Sequence, residues 1–239
     1  MSGAPPDGGP PAGEVHLRLI DLREAAGAEV PLRRFLSLDE IERAGQFQRD
    51  ATRFRFVVVR GLLRQILGSC VGAAPAQIAF SYGKNGKPAL AGTDAESGLS
   101  FNVSHSGDYA LIGVALRREI GVDIEQLRPM PDFANIARGY FSAAEIGALT
   151  AVPESDRLRA FFACWTRKEA FMKATGAGMR LALDSFSVQL GADDETRLSA
   201  GGEWTVRGVA LDLACEAAVA VEGPPAKIVA WRERSQSGG

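Results

Sequence analysis

Asp123 and Glu125, in the run Gly121-Val122-Asp123-Ile124-Glu125, are two acids two residues apart in an otherwise apolar segment. Side chains at i and i+2 of a strand share a face, so these carboxylates stand side by side while Ile120, Val122 and Ile124 take the other face. Two like charges held so close repel unless a cation lies between them. A third acid, Glu169, lies in Trp165-Thr166-Arg167-Lys168-Glu169, with Lys168 beside it and Lys173 one helical turn later. Three carboxylates suit a hard divalent cation such as magnesium, and the lysines suit a phosphate. The chemistry this predicts is that of phosphoryl groups, in a transferase or, with water as the nucleophile, in a hydrolase of nucleotide pyrophosphates.

A lone pair of acids on a strand is more often a solvated edge; the second motif shifts the balance. On a helical wheel Trp165, Lys168, Glu169, Met172 and Lys173 share one arc, with Phe161 and Phe162 near it, while Ala163, Arg167, Ala170 and Ala174 lie opposite. An exposed Glu169–Lys173 pair would contribute only ~0.3–0.5 kcal/mol. That accounts for the pair but not for its company, since charges on an apolar arc are costly to bury unless they bind something. The large side chains of this arc are expected to face the core.

Further cations and one imidazole are candidates for anion binding. His105 follows Asn102-Val103-Ser104 and precedes Ser106-Gly107, between two strand-like runs, where it can donate to a phosphate oxygen beside Ser104 and Ser106. Lys84 and Lys87 flank a turn that ends at Pro88, and Arg53 and Arg55 open a long helix. Each alone reads as solubilising surface; together they can form a local basic patch of the kind arginine favours for phosphate. Glu145 completes a capping box with Ser142, which explains it as a structural residue.

These residues need elements to hold them. Alternation predicts a strand over residues 15–22, and Ser37 to Glu40 form a capping box that opens a short helix. A long helix is predicted over residues 50–67, stopping at Gly68, and strands over 78–82, 101–104 and 109–116. The order then repeats: a helix over 155–175 ending at Gly176, strands over 185–190, 204–208 and 215–221, and a last strand over 228–231. The expected fold class is therefore α+β, with two pseudo-symmetric α/β halves in one chain. Each half is a long helix on a small, mainly antiparallel sheet, and the active site falls at their interface. The halves are read as residues 14–120 and 121–231, between a disordered tail at 1–13 and a polar tail at 232–239.

Composition excludes several classes. The chain of 239 residues is 46% hydrophobic and 23% charged, and a formal net charge of −2 gives no global field for nucleic acid or anionic membrane. Cys70, Cys164 and Cys215 form no CxxC pair and read as reduced core residues. No apolar run approaches a membrane span, and the Pro- and Gly-rich start has neither the charge nor the apolar core of a signal peptide. The expected location is cytoplasmic, and a cleft within one chain predicts a monomer.

Three motifs, taken in order, resemble the 4'-phosphopantetheinyl transferases: Phe101-Asn102-Val103-Ser104-His105-Ser106, Gly121-Val122-Asp123-Ile124-Glu125, and Trp165 to Lys173. The likeness is to the larger, surfactin-synthetase-type members with two pseudo-symmetric halves. Gly86-Lys87-Pro88, Gly176-Ala177-Gly178 and Asp184-Ser185-Phe186-Ser187-Val188 also fit. The resemblance implies magnesium-dependent transfer of the phosphopantetheine arm of coenzyme A to a serine of an acyl or peptidyl carrier protein, releasing adenosine 3',5'-bisphosphate. It implies Asp123, Glu125 and Glu169 as metal ligands, with Glu169 also orienting or deprotonating the serine. Lys168 and Lys173 would bind phosphate oxygens, His105 the nucleotide's phosphates, and Arg55 (or Arg53) the 3'-phosphate. Lys87 and Pro88 would flank the adenine end, near Lys84. Carrier proteins are acidic around the modified serine, so Arg117, Arg118, Arg128 and Arg138 are candidates for a basic docking surface.

Overall fold

In a computed structural model describing residues 8–176, 178, 181–191 and 194–233, two sheets lie face to face and each carries a long helix on its outer side. The N-terminal half runs β1 (Glu14–Asp21), α1 (Glu29–Arg33), α2 (Leu38–Gly45), α3 (Asp50–Val71), a short hairpin of β2 (Phe80–Tyr82) and β3 (Pro88–Leu90), then β4 (Leu99–Ser106) and β5 (Tyr109–Leu116). The C-terminal half runs β6 (Ile120–Gln126), α4 (Phe133–Tyr140), α5 (Ala143–Ala151), α6 (Arg157–Thr175), β7 (Glu195–Ser199), β8 (Glu203–Gly208) and β9 (Cys215–Glu222). The first strand of each half pairs antiparallel with its last, β1 with β5 and β6 with β9, so the two halves share one topology. This is an α+β protein whose helices pack on antiparallel sheets.

Alternation explains the layers. Val15, Leu17 and Leu19 of β1 with Tyr109 and Leu111 of β5 meet Ile120, Val122 and Ile124 of β6 with Ala217, Val219 and Val221 of β9 in one core between the sheets. Each fully buried Val, Leu or Ile there contributes roughly 1.5–3 kcal/mol. The odd-numbered outer positions of β6, Gly121, Asp123 and Glu125, turn toward α6. Gly121 is what lets that helix settle. A Cβ there would stand 2.1 Å from the Ala170 carbonyl oxygen and 2.3 Å from the Ala174 nitrogen, so only glycine admits the helix backbone onto the strand.

Several elements depart from the sequence reading. The helix predicted to stop at Gly68 continues to Val71 and ends at Gly72, which takes the left-handed conformation (φ 73°). Gly68 lies inside the helix at a position where a Cβ would meet the Ala73 carbonyl oxygen at 2.6 Å. No strand forms over residues 185–190; the segment crosses the end of α5 instead, where the Val188 N–H donates to Glu145. The strand β7, unforeseen, follows it. The last strand, β10 (Lys227–Glu233), does not close the C-terminal half: it pairs in parallel with β1, giving sheet orders β10-β1-β5-β4 and β6-β9-β8-β7. Residues 232 and 233, read as tail, belong to that strand. Of the expected N-terminal tail, Pro10 is buried and Pro11 accepts a bond from Glu14; residues 1–7, 234–239 and Ala177 lie outside the described residues.

The wheel reading of α6 is also corrected. Ala170, Phe171 and Ala174 pack on Trp204, Val206, Ala218 and Ala220 of the sheet. At Gly121 the small residues Ala170 and Ala174 face the strands, while Phe161 and Phe162, expected near the core-facing arc, are indeed buried, with Ala137, Phe141 and Leu149. Trp165, Glu169, Met172 and Lys173 are only partly buried. Among the described residues, no helix is long and apolar enough to cross a membrane.

Candidate active site

The acids of β6 lie where that strand has no backbone neighbour on one side, since β9 covers only the other edge. Polar side chains of β4 complete it. Asn102, Ser104 and Ser106 share the inner face of β4 by strand alternation. The Asn102 Oδ1 accepts from Val122 N–H at 3.0 Å, and the Ser104 hydroxyl donates to Asp123 Oδ1 at 2.7 Å. Ser106 in turn donates to Glu125 Oε2 at 2.5 Å. One strand of the N-terminal half thus fixes three successive points of a strand of the other half. From α6, the Lys173 ammonium donates to Asp123 Oδ1 (2.6 Å) and to Ser104 Oγ (2.9 Å). The site therefore spans both halves, as the sequence reading expected.

The electrostatics are those of an incomplete cluster. Asp123 is 4% exposed and its Oδ2 is buried without any hydrogen-bond partner. Burial raises the Asp123 pKa against the opposing pull of Lys173. The Glu169 pKa is raised too, by burial first and then by the negative charge of Asp123, with a smaller push from Glu125. Among the described residues no three acid, histidine or cysteine side chains already converge as a metal-ligand set. The Lys173 ammonium stands against Asp123, as the nearest positive charge. An orphaned carboxylate oxygen and three mutually repelling acids are a donor set that suits a hard cation.

On the other face of β4, His105 is exposed. Burial, then the charges of Arg55 and Lys173, lower its pKa, so the imidazole is neutral at pH 7 and carries one N–H to donate. Arg55 is close enough to be felt by His105, and its Nε is buried without a partner. Arg53 points elsewhere, to Asp50 (2.8 Å) and Glu29 (4.0 Å). The two arginines offered as alternatives in the sequence therefore differ in geometry, and Arg55 belongs with His105. Lys84 is exposed on the β2–β3 loop, and Pro88 begins β3.

Several of the expected site residues have partners within the protein. Lys168 is 0% exposed; its ammonium meets Glu145 Oε1 at 2.8 Å and donates to the carbonyls of Leu183 and Phe186, both at 2.7 Å. An ammonium has three donors, and all three are engaged, leaving none for a phosphate. Ser104 is buried and holds Asp123 rather than facing a ligand. Lys87 bonds Glu119 (2.6 Å) and the Ala174 carbonyl (2.8 Å), and its neighbour Asn85 bonds the Gly176 carbonyl at 2.6 Å. Together they cap the C-terminus of α6 from the opposite half. Among the candidate docking arginines, Arg128 holds Glu125 at 3.0 Å and Arg118 holds the carbonyls of Glu222 and Pro224.

Ser106, Arg128 and Asn85 were not singled out from the sequence as contacts of the site. The alternation Asn102, Ser104, Ser106 was the available signal, three polar groups on one strand face. Glu145 is engaged within the fold: Oε1 accepts from Val188 N–H and Lys168, and Oε2 from Ser142 N–H, so its capping box is also a buried ion pair. A separate cavity of about 640 Å³ lies between α5 and residues 187–191. It contains none of Asp123, Glu125 or Glu169.

Comparison with known proteins agrees with this architecture. Residues 30–116 match the family described as "4'-phosphopantetheinyl transferase, N-terminal", and residues 119–219 match the "4'-phosphopantetheinyl transferase superfamily". The chain is 40% identical over 210 residues to the 4'-phosphopantetheinyl transferase HetI of Nostoc sp., covering 88% of each chain. It is 31% identical over 215 residues to the transferase psf-1 of Bacillus pumilus, covering 89% of this chain and 90% of that one. To the transferase Sfp of Bacillus subtilis it is 31% identical over 165 residues, 69% of this chain and 70% of the relative. A chain with two matching halves, relatives along nearly its whole length and a polar site where the halves meet belongs to the 4'-phosphopantetheinyl transferases.

Proposed function

We propose that this transferase moves the 4'-phosphopantetheine group of coenzyme A to a serine hydroxyl of an acyl or peptidyl carrier protein, with magnesium, and releases adenosine 3',5'-bisphosphate. The observation that carries the reading is Asp123 Oδ2, a buried carboxylate oxygen without a partner, on the strand face it shares with Glu125. Asp123, Glu125 and Glu169 would hold the magnesium ion, which when bound neutralises charge on the pyrophosphate. Lys173 donates to a phosphate oxygen once it leaves Asp123. His105, as a neutral donor, and Arg55 hold the nucleotide's phosphates, with Lys84 and Pro88 toward the adenine end. Lys168 and Lys87 keep α6 in place and do not touch substrate.

In this reading the serine oxygen attacks the phosphorus that bears the pantetheine arm, and the bond from that phosphorus to the bridging oxygen breaks. The serine proton passes to Glu169, a carboxylate able to accept it at neutral pH. Positive charge from Lys173 and Arg55 offsets the charge that develops on the departing bisphosphate. All of these groups come from one chain, which supports a monomer, and the described thiols of Cys70, Cys164 and Cys215 are free, which supports a reducing compartment such as the cytoplasm. The test is intact-mass measurement of apo carrier proteins incubated with the protein, coenzyme A and magnesium, beside an EDTA control. A phosphopantetheine adduct that EDTA abolishes is the expected result. Release of adenosine bisphosphate with no adduct on any carrier would replace the transferase reading with a hydrolase.

A further inference from the structure

Asp123 and Glu125 are held in the same lopsided way. Both hydrogen bonds to Asp123 fall on Oδ1, from Ser104 (2.7 Å) and Lys173 (2.6 Å), and Oδ2 is left buried and bare. Both bonds to Glu125 fall on Oε2, from Ser106 (2.5 Å) and Arg128 (3.0 Å). In each case one donor is a serine of β4 and the other a cation of the C-terminal half. The serines are two apart on β4 and the acids two apart on β6, so the pairing repeats in register. Ser104 is fixed further: its oxygen accepts from Lys173 and lies 3.4 Å from the Ile124 nitrogen. Its single hydroxyl proton is thus directed at Asp123.

We propose that Ser104 and Ser106 are positioning residues: each locks one oxygen of its carboxylate so that the other is presented to the divalent cation. The inference rests on the metal-dependent reading above and adds to it a reason why the ligands come from one half and their orientation from the other. A carboxylate free to turn about its last bond must lose that freedom on binding metal; a hydroxyl bonded to one oxygen removes it beforehand. Ser106 is the sharper of the two, because it is only partly buried and makes one bond, to Glu125.

The experiment is calorimetric titration of the metal-free protein with Mn²⁺ alone, for the unaltered chain and for Ser106→Ala, Ser106→Thr, Ser104→Ala and Asp123→Asn. Loss of a ligand-orienting partner commonly weakens metal affinity 10–100-fold, so Ser106→Ala should weaken Mn²⁺ binding about tenfold, and Ser106→Thr, which keeps the hydroxyl, should stay within about twofold. Coenzyme A binding in EDTA and the melting temperature of Ser106→Ala should not move; a merely structural serine would shift the melting temperature and leave Mn²⁺ affinity alone. If Ser104→Ala fails to fold, the Ser106 pair decides the question by itself. Mn²⁺ binding that needs Asp123 but is indifferent to Ser106→Ala would overturn this proposal and leave the functional reading standing. An unaltered chain that binds no Mn²⁺ would overturn both.

Discussion

In the N-terminal half the first strand, β1, is bonded along both edges, to β5 and to β10; in the C-terminal half its counterpart, β6, is bonded only to β9. The two halves otherwise repeat each other closely, even in devices that residue identity does not reveal. A buried capping-box glutamate on a short helix grips a buried cation on the long helix in each. Glu40 holds Arg64 at 2.7 Å, and Glu145 holds Lys168 at 2.8 Å. Further donors of each cation take carbonyls of the chain that leaves the long helix, Pro75 and Ile78 in one half, Leu183 and Phe186 in the other. What differs is the free edge. An unpaired strand edge must be satisfied by something, and here side chains of β4 do it, creating a polar seam inside an otherwise apolar sandwich. The acids sit on that seam. A repeated fold becomes a site where its repetition is broken.

The largest effect expected from that asymmetry is on turnover. Glu169→Gln, which has no counterpart role in the N-terminal half, should keep the fold and lower kcat by about 10²–10⁴-fold, the range for loss of a general base. Near-unaltered carrier modification by that variant, measured by intact mass, would remove Glu169 from the chemistry. The repeated ion pairs predict matched losses of stability instead. Glu40→Ala and Glu145→Ala each leave a buried cation without its partner and should each cost about 3–5 kcal/mol in urea unfolding. Lys168→Met should join them in stability while the folded protein's affinity for coenzyme A holds; a large loss of that affinity would return Lys168 to the phosphate site.

Two buried aspartates sharpen the comparison through pH. Asp21, at the end of β1, is fully bonded: Arg23 and Arg232 reach its carboxylate at 2.6 and 2.9 Å, and bonding to Arg23 lowers its pKa. Its stabilisation is present above the unfolded value of 3.8 and is lost as pH falls through the lowered folded value. Asp123 is half bonded and its pKa is raised, so its contribution is complete below 3.8 and is lost as pH rises through the raised folded value. Asp21→Asn should therefore lower the melting temperature at pH 7. Asp123→Asn should leave the metal-free protein at least as stable there, and divalent metal should stabilise only the unaltered chain. A fall in both variants alike would show the two aspartates to be equivalent. The smallest expected effect belongs to the strut between the halves. Asn85→Ala removes one exposed bond to the end of α6, and about 0.5–1.5 kcal/mol of stability should go with it. If Asn85 and Lys87 position α6 rather than hold nucleotide, kcat falls slightly and the coenzyme A dissociation constant does not change.

Much of this molecule is local and therefore legible from the chain. Strand β5 lies where its uninterrupted apolar run predicts, both capping boxes form, and α6 stops at Gly176 in the left-handed conformation. The shared face of Asp123 and Glu125 follows from the two-residue period of a strand alone. The element order announced two similar halves, although little residue identity links them.

What the chain could not reveal depends on which surfaces meet. Helix α6 carries apolar residues nearly all round, so its periodicity could not say that the alanine arc would take the sheet; the close approach at Gly121 decides it. Lys168 and Lys173 look alike in sequence, five residues apart, yet one is fully buried against Glu145 and the other lies partly exposed against Asp123. The destination of β10 is likewise invisible locally, because pairing in parallel with a strand some two hundred residues earlier is a matter of which edge remains open. Sequence determined the chemical types at the site and the periodicities of the elements beneath them, since both are properties of short segments. Tertiary structure decided which of those groups face one another, because burial and hydrogen bonding between the halves, not local preference, select the partner of each charge.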